Sequence, residues 1–179
     1  MARNVEIKAR VVDYHAFLGR VKRIAESDPV EIMQDDTFFY CPNGRLKLRE
    51  FSPEEGQLIF YQRNNTTGPK ESRYFIAPIS DPGSLRNTLS LALGISGRVR
   101  KRRLLFLTGN TRIHLDEVEG LGEFMELEVV LTDEQSIEDG EVMARNLMRE
   151  LAVSEEHLLD GAYVDMLNNI PEHVTPANA

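Results

Sequence analysis

The sequence predicts an α+β fold on a mainly antiparallel sheet of about eight strands, enough to close a barrel, with helices packed outside it. Runs of alternating polar and apolar residues recur along the chain. Turn signals such as Pro42-Asn43-Gly44 and Gly109-Asn110 join them at short spacing. Helical periodicity appears only after the first strand, in the middle and at the end.

The first strand, Asn4 to Arg10, sets the pattern: Asn4, Glu6, Lys8 and Arg10 share one face, and Val5, Ile7 and Ala9 the other. Asp13 then caps a helix carrying Phe17, Leu18, Val21, Ile24 and Ala25, which stops before Asp28-Pro29. Glu31 to Tyr40 reads as a strand that turns back into Arg45-Leu46-Lys47-Leu48-Arg49, with three cations on one face. After a turn at Ser52 to Gly56, Gln57 to Arg63 forms the next strand. Asn64 to Lys70 is a loop by composition, and Ser72 to Pro78 a short strand containing Arg73. Asp81-Pro82 opens a second helix whose leucines, Leu85, Leu89, Leu91 and Leu93, are expected to be buried before Gly94 stops it.

Arg98 to Arg103 holds five cations in six positions and runs directly into Leu104-Leu105-Phe106-Leu107. Alternation therefore sends Lys101 and Arg103 to one face and Arg100 and Arg102 to the other. Arg112, His114 and Asp116 share a face of the following strand, and Glu126 and Glu128 share a face of the last one. Asp133 is expected to open a helix reaching Leu151. Ser154 is expected to cap another bearing Leu158, Leu159, Tyr163 and Leu167. The reading is one domain over residues 1–170 with a flexible tail at 171–179.

Composition narrows the function. A net charge of -8 over 179 residues argues against a general nucleic-acid or anionic-membrane binder. The single cysteine, Cys41, excludes an internal disulfide or a Cys-rich zinc cluster and suits a reducing compartment. With neither a signal peptide nor a long apolar run, the expected location is cytoplasmic. No P-loop signature and no serine or cysteine nucleophile motif is present.

If the charged faces point inward, Lys8, Arg45, Lys47, Arg49, Lys101 and Arg103 line one lumen with Glu6, Asp116, Glu126 and Glu128. Unpaired buried charges would each cost several kcal/mol, so a ligand must help to balance them. A polyphosphate with Mg²⁺ or Mn²⁺ matches guanidinium and ammonium groups on one side and carboxylates on the other. If the same faces point outward, they form surface ion pairs worth roughly 0–1 kcal/mol each. Spacing weighs the two equally, because alternation assigns faces without saying which is inside. His114 alone reads as a hydrogen-bonded structural histidine.

Four segments carry a resemblance: Val5-Glu6-Ile7-Lys8, Leu46-Lys47-Leu48-Arg49-Glu50, Lys101-Arg102-Arg103, and Ile113-His114-Leu115-Asp116 continuing to Glu126-Leu127-Glu128. In order and spacing they resemble the motifs of the CYTH superfamily, the triphosphate tunnel metalloenzymes, over nearly all of residues 3–168. The resemblance implies an eight-stranded antiparallel closed β-barrel, a tunnel for a triphosphate, and a possible homodimer. It implies triphosphate binding by Lys8, Lys47, Arg49, Arg73, Lys101 and Arg103. It implies metal binding by Glu6, Glu126, Glu128 and Asp116, with Asp116, Lys101 and Arg103 at the reacting centre. Either Gln62 or Arg63 stands where the family usually shows a lysine. Asn4 replaces the first glutamate of the Glu-x-Glu-x-Lys signature, and an amide oxygen brings a donor without charge.

The glycine segment around Gly120-Leu121-Gly122 resembles class IV adenylyl cyclases, which implies conversion of ATP to cyclic AMP and pyrophosphate. The alternatives are a hydrolase of thiamine triphosphate, tripolyphosphate or a nucleoside triphosphate, and a non-catalytic polyphosphate or nucleotide binder.

Overall fold

The computed structural model describes residues 2–63 and 66–170, so the expected tail at 171–179 lies outside the described residues. Eight strands close into a barrel: β1 (Ala2–Arg10), β2 (Val30–Phe39), β3 (Arg45–Ser52), β4 (Glu55–Arg63), β5 (Lys70–Ile79), β6 (Ile95–Thr108), β7 (Thr111–Val118) and β8 (Gly122–Val130). The order around it is β1-β5-β4-β3-β2-β6-β7-β8, and every neighbouring pair is antiparallel. The described residues also form four α-helices: α1 (Tyr14–Ile24), α2 (Pro82–Leu93), α3 (Ile137–Glu150) and α4 (Tyr163–Asn168).

The main hydrophobic core lies outside the barrel. Val5, Ile7 and Ala9 of β1 are fully buried, as are Ile113, Leu115, Met125, Leu127 and Val129 of β7 and β8, beneath α1 and α3. Each such side chain contributes roughly 1.5–3 kcal/mol by leaving water. Gly140 allows α3 to sit close on β1, since a β-carbon there would stand 2.7 Å from Cγ2 of Val5. Because β1, β7 and β8 commit their apolar faces outward to this core, their polar faces must turn into the lumen. The enclosed channel is the arrangement that forms.

A second cluster closes one end of the channel. Phe38, Val99, Val118 and Phe124 pack against Ala162, Tyr163 and Val164 at the start of α4. Gly97 permits this approach, because a β-carbon there would fall 2.3 Å from Cγ2 of Val164.

Three local expectations change. The third long helix starts at Ile137, since Ser136 and Asp139 cap it reciprocally, rather than at Asp133. Ser154 precedes only a 3-10 turn, Glu155–His157, because Leu158 bridges to Ala9 and the Leu159 amide donates to the Lys8 carbonyl. Backbone pairing with β1 thus overrides the helical spacing of Leu158 and Leu159, and α4 begins at Tyr163. In α2 only Pro82 is fully buried, and Leu91 is 91% exposed. Nothing among the described residues covers Leu91.

Candidate functional site: a charged channel

The lumen is a cavity of about 370 Å³ whose walls mix both charges. Strand β1 supplies Asn4, Glu6 and Lys8; β2 supplies Gln34 and Asp36; β3 supplies Lys47 and Arg49. Arg63 comes from β4, Lys101 and Arg103 from β6, Arg112 and His114 from β7, and Glu126 and Glu128 from β8. Asp116 lies behind them in the β7 wall with 0% exposure. Register places the groups: Lys8 stands opposite Glu126 and Glu6 opposite Glu128 between β1 and β8, and Arg103 opposite Asp116 between β6 and β7.

The charges are paired across the lumen. Arg103 donates Nε to Asp116 Oδ1 and Nη2 to Asp116 Oδ2, each at 2.6 Å, and Nη2 also reaches Glu126 at 2.6 Å. Lys101 Nζ meets Asp116 at 3.1 Å, and Lys8 Nζ meets Glu126 at 3.0 Å. Asp36 receives Lys47 Nζ at 2.7 Å and Arg49 through both oxygens at 2.7 and 2.8 Å. Arg63 pairs with Glu6. The Tyr163 hydroxyl of α4 donates to Asp116 at 2.9 Å, and its ring lies 3.7 Å beneath Lys8 Nζ.

These contacts set the protonation states. Burial raises the Asp116 carboxyl, but Arg103 and Lys101 outweigh it and hold it far below the usual carboxylate range. The same contest, won by Lys8 and Arg103, leaves Glu126 well below its ordinary value, and Arg49 with Lys47 does so for Asp36. Burial and then Arg49 push Lys47 down to about 7 despite Asp36. Lys101 also falls, through burial and then Arg103. Burial, with Glu126 and Asp116 beside it, raises the Tyr163 hydroxyl well above 10.0, so it remains a donor.

Of the residues expected from sequence, Glu6, Lys8, Lys47, Arg49, Lys101, Arg103, Asp116, Glu126 and Glu128 come together here. Arg73 does not. It projects from the outer face of β5, pairs with Glu71 at 3.0 Å and leaves 55% of its side chain exposed, because Ser72 and Tyr74 take the inward positions on that strand. Arg45 is diverted to the closed end, where it grips both oxygens of Asp165 in α4 at 2.9 and 2.7 Å. Between Gln62 and Arg63, Arg63 faces the lumen, and Gln62 is exposed with its amide on the Asn43 carbonyl at 2.7 Å.

The sequence matches the CYTH domain family over residues 2–163. The chain belongs to this family. It is 26% identical to the adenylate cyclase CyaB of Aeromonas hydrophila over 170 residues, 89% of this chain and 85% of that protein. The fold is that of the PH1012 protein of Pyrococcus horikoshii OT3, with a TM-score of 0.79 and 21% identity over 90% of this chain and 98% of that one. It is also shared with HpAC1 of Hippeastrum, an adenylyl cyclase candidate with a dominant triphosphatase activity (TM-score 0.60, 16% identity, 89% of this chain and 91% of that one).

CYTH enzymes are metal-dependent, and this chain's donors fit a divalent ion. One ligand atom each from His114, Glu126 and Glu128 lies within 4.8 Å of the others, a spacing one ion can span. Asp36 and Tyr163 also line this channel, although the sequence reading did not place them in the site. For Asp36 the signal was available, since the turn at Asn43-Gly44 fixes the hairpin register that sets Asp36 opposite Arg49. Tyr163 carried none, being indistinguishable from an apolar helix position until α4 docks.

Proposed function

We propose that this CYTH chain is a metal-dependent enzyme acting on an organic triphosphate held in the channel, in the first instance a cyclase converting ATP to cyclic AMP and pyrophosphate. The observation that carries it is the convergence of both charges in one lumen: the cations of β1, β3, β4 and β6 face the carboxylates of Glu126 and Glu128, and Asp116 anchors Lys101 and Arg103 from behind the wall. Lys8, Lys47, Arg49, Arg63, Lys101 and Arg103 bind the phosphate oxygens, the guanidinium forks in bidentate fashion. Glu126 and Glu128 hold the divalent ion, with Glu6 beside them. Mg²⁺ or Mn²⁺ there supplies charge neutralisation at the phosphates.

In the cyclase step the ribose 3′-hydroxyl gives its proton to water as its oxygen bonds to the α-phosphorus, and the bond from that phosphorus to the bridging oxygen breaks with its electron pair leaving on pyrophosphate. Asp116, whose oxygens are taken by Arg103, Lys101 and Tyr163, fixes those donors from behind the wall; a carboxyl held so far below its usual range is a weak base and a good anchor. Lys101 and Arg103 stabilise the charge developing on the leaving group. The end of the channel away from α4 carries Ile32, Tyr74, Ile76 and Leu105, an apolar lining for an organic group beyond the phosphates.

A second reading is hydrolysis, in which water replaces the ribose hydroxyl and attacks a terminal phosphorus. The dominant triphosphatase activity of HpAC1, on the same fold, favours it. Incubating the protein with Mg²⁺ or Mn²⁺ and ATP, thiamine triphosphate or tripolyphosphate separates the readings. Cyclic AMP with pyrophosphate supports the first and orthophosphate the second, whereas binding without turnover rejects both. Glu126→Gln and Lys101→Met are expected to abolish turnover in either case, and retained rates would refute the assignment.

A further inference from the structure

His114 sits on β7 with 3% exposure, facing the lumen between Leu105 of β6 and Glu126 of β8. Among the described residues its Nδ1 has no hydrogen-bond partner. That is unusual for so polar an atom in so buried a place, where an unmet group costs about 1–3 kcal/mol. The nearest acceptors are Glu126 Oε2 at 3.6 Å and Glu128 Oε1 at 3.8 Å, beyond hydrogen-bond reach. Those carboxylates keep shorter contacts elsewhere, Glu126 with Lys8 and Arg103 at 3.0 and 2.6 Å and Glu128 with Arg112 at 3.5 Å.

The spacing is that of ligands around an ion. Two donors each about 2.1 Å from one metal stand about 3.0 Å apart at a right angle and about 3.4 Å apart at a tetrahedral one. From 3.6 and 3.8 Å, His114 Nδ1 needs to close on the two carboxylates by about 0.2 and 0.4 Å for the tetrahedral spacing, or about 0.6 and 0.8 Å for the right-angle one. Asn4, which lines the same lumen on β1, also has a buried Oδ1 without a partner among the described residues. Where the CYTH signature has a carboxylate, this chain offers a neutral amide, and it offers an imidazole nitrogen nearby.

We infer that His114 Nδ1 is itself a metal ligand, completing a mixed nitrogen–oxygen site with Glu126 and Glu128, and that this site selects Mn²⁺ over Mg²⁺. Imidazole binds first-row transition ions well, whereas Mg²⁺ takes oxygen donors and dehydrates reluctantly. Replacing an acid by Asn4 lowers the charge that holds Mg²⁺, while the nitrogen donor favours Mn²⁺. The inference rests on the proposed metal dependence, but it concerns binding and needs no substrate.

The test is Mn²⁺ binding without triphosphate, read from loss of the free Mn²⁺ EPR signal, with Mg²⁺ measured by competition. Wild type is expected to bind Mn²⁺ more tightly, and His114→Phe, which keeps a ring but no donor, to lose about tenfold or more in Mn²⁺ affinity with little change for Mg²⁺. Pulsed EPR of Mn²⁺-loaded wild type with ¹⁵N-histidine is expected to show coupling to a histidine nitrogen, which needs no variant to fold. Equal Mn²⁺ affinity in a folded His114→Phe, or absence of nitrogen coupling, overturns the inference. Turnover of a triphosphate alongside that absence leaves the proposed function standing. Failure to bind either ion even with tripolyphosphate present sinks both.

Discussion

Asp36 decides how the cationic wall behaves when the channel is free. It is almost wholly buried and holds Lys47 and Arg49 through both oxygens. Asp36→Asn leaves two cations sharing a low-dielectric space, and removal of one partner from a buried pair costs about 3–5 kcal/mol. The expected result is a loss of that size in urea unfolding at neutral pH, recovered more by added tripolyphosphate than in the parent protein, since the anion takes the vacated place. Unchanged stability would show that the pair is not buried in solution. Lys47 gives a second prediction. With its pKa at about 7 in the free channel against an ordinary 10.5, it is charged below pH 7 in both states, but above pH 7 a bound triphosphate must restore the proton. Triphosphate affinity is therefore expected to fall as pH rises from about 7, by at most about tenfold per pH unit, with proton uptake measurable by calorimetry in two buffers. In Lys47→Gln that part of the slope should vanish, and an unaltered slope would move the titration to another group. Neither effect was legible from charge alternation, which counts cations without saying which acid each one meets.

Short elements carry what the alternation of strands could not reveal. Strands β1, β7 and β8 were readable because each commits one apolar face to the core under the helices, as Val5-x-Ile7-x-Ala9 does beneath α1 and α3. The α4 segment was misread because Leu158 and Leu159 have helical spacing yet are held extended by backbone bonds to β1, information that resides in the partner strand. The consequence is a helix that closes one end of the channel and ties its cap to the chemistry through Tyr163 and Asp165. Gly97→Ala tests this arrangement. Its β-carbon would stand 2.3 Å from Cγ2 of Val164, so α4 must move. Amide exchange is expected to accelerate over Tyr163–Asn168 while β6 to β8 stay protected, and Gly97→Ala with Val164→Ala is expected to recover most of the protection because the clashing methyl is gone. Unchanged exchange in the single variant would mean that α4 does not close the channel in solution.

At the scale of the whole molecule the channel is already charge-paired from within. Lys8 and Arg103 rest on Glu126, Lys101 on Asp116, Lys47 and Arg49 on Asp36, and Arg63 on Glu6. The sequence displayed both sets of charges and their common face, but the exchange between them depends on barrel closure, which brings β1 beside β8 and β5. A divalent ion arriving alone must take carboxylates away from cations, and a triphosphate arriving alone must take cations away from carboxylates. Each leaves a buried charge unmet, at a cost of several kcal/mol. Arriving together, each supplies the partner that the other displaces. The two ligands are therefore expected to bind with positive coupling, each tightening the other by the same factor. A ligand present at about 100 times its dissociation constant adds about 2.7 kcal/mol to stability. At about 2–4 °C per kcal/mol for a chain of this size, that is a rise in Tm of about 5–10 °C. With free Mn²⁺ and free tripolyphosphate held constant, since the two also bind each other in solution, either alone should give less than this and both together more than the sum. Strictly additive shifts would mean that the internal pairs do not have to open, and that the acids and cations of the channel act as separate sites.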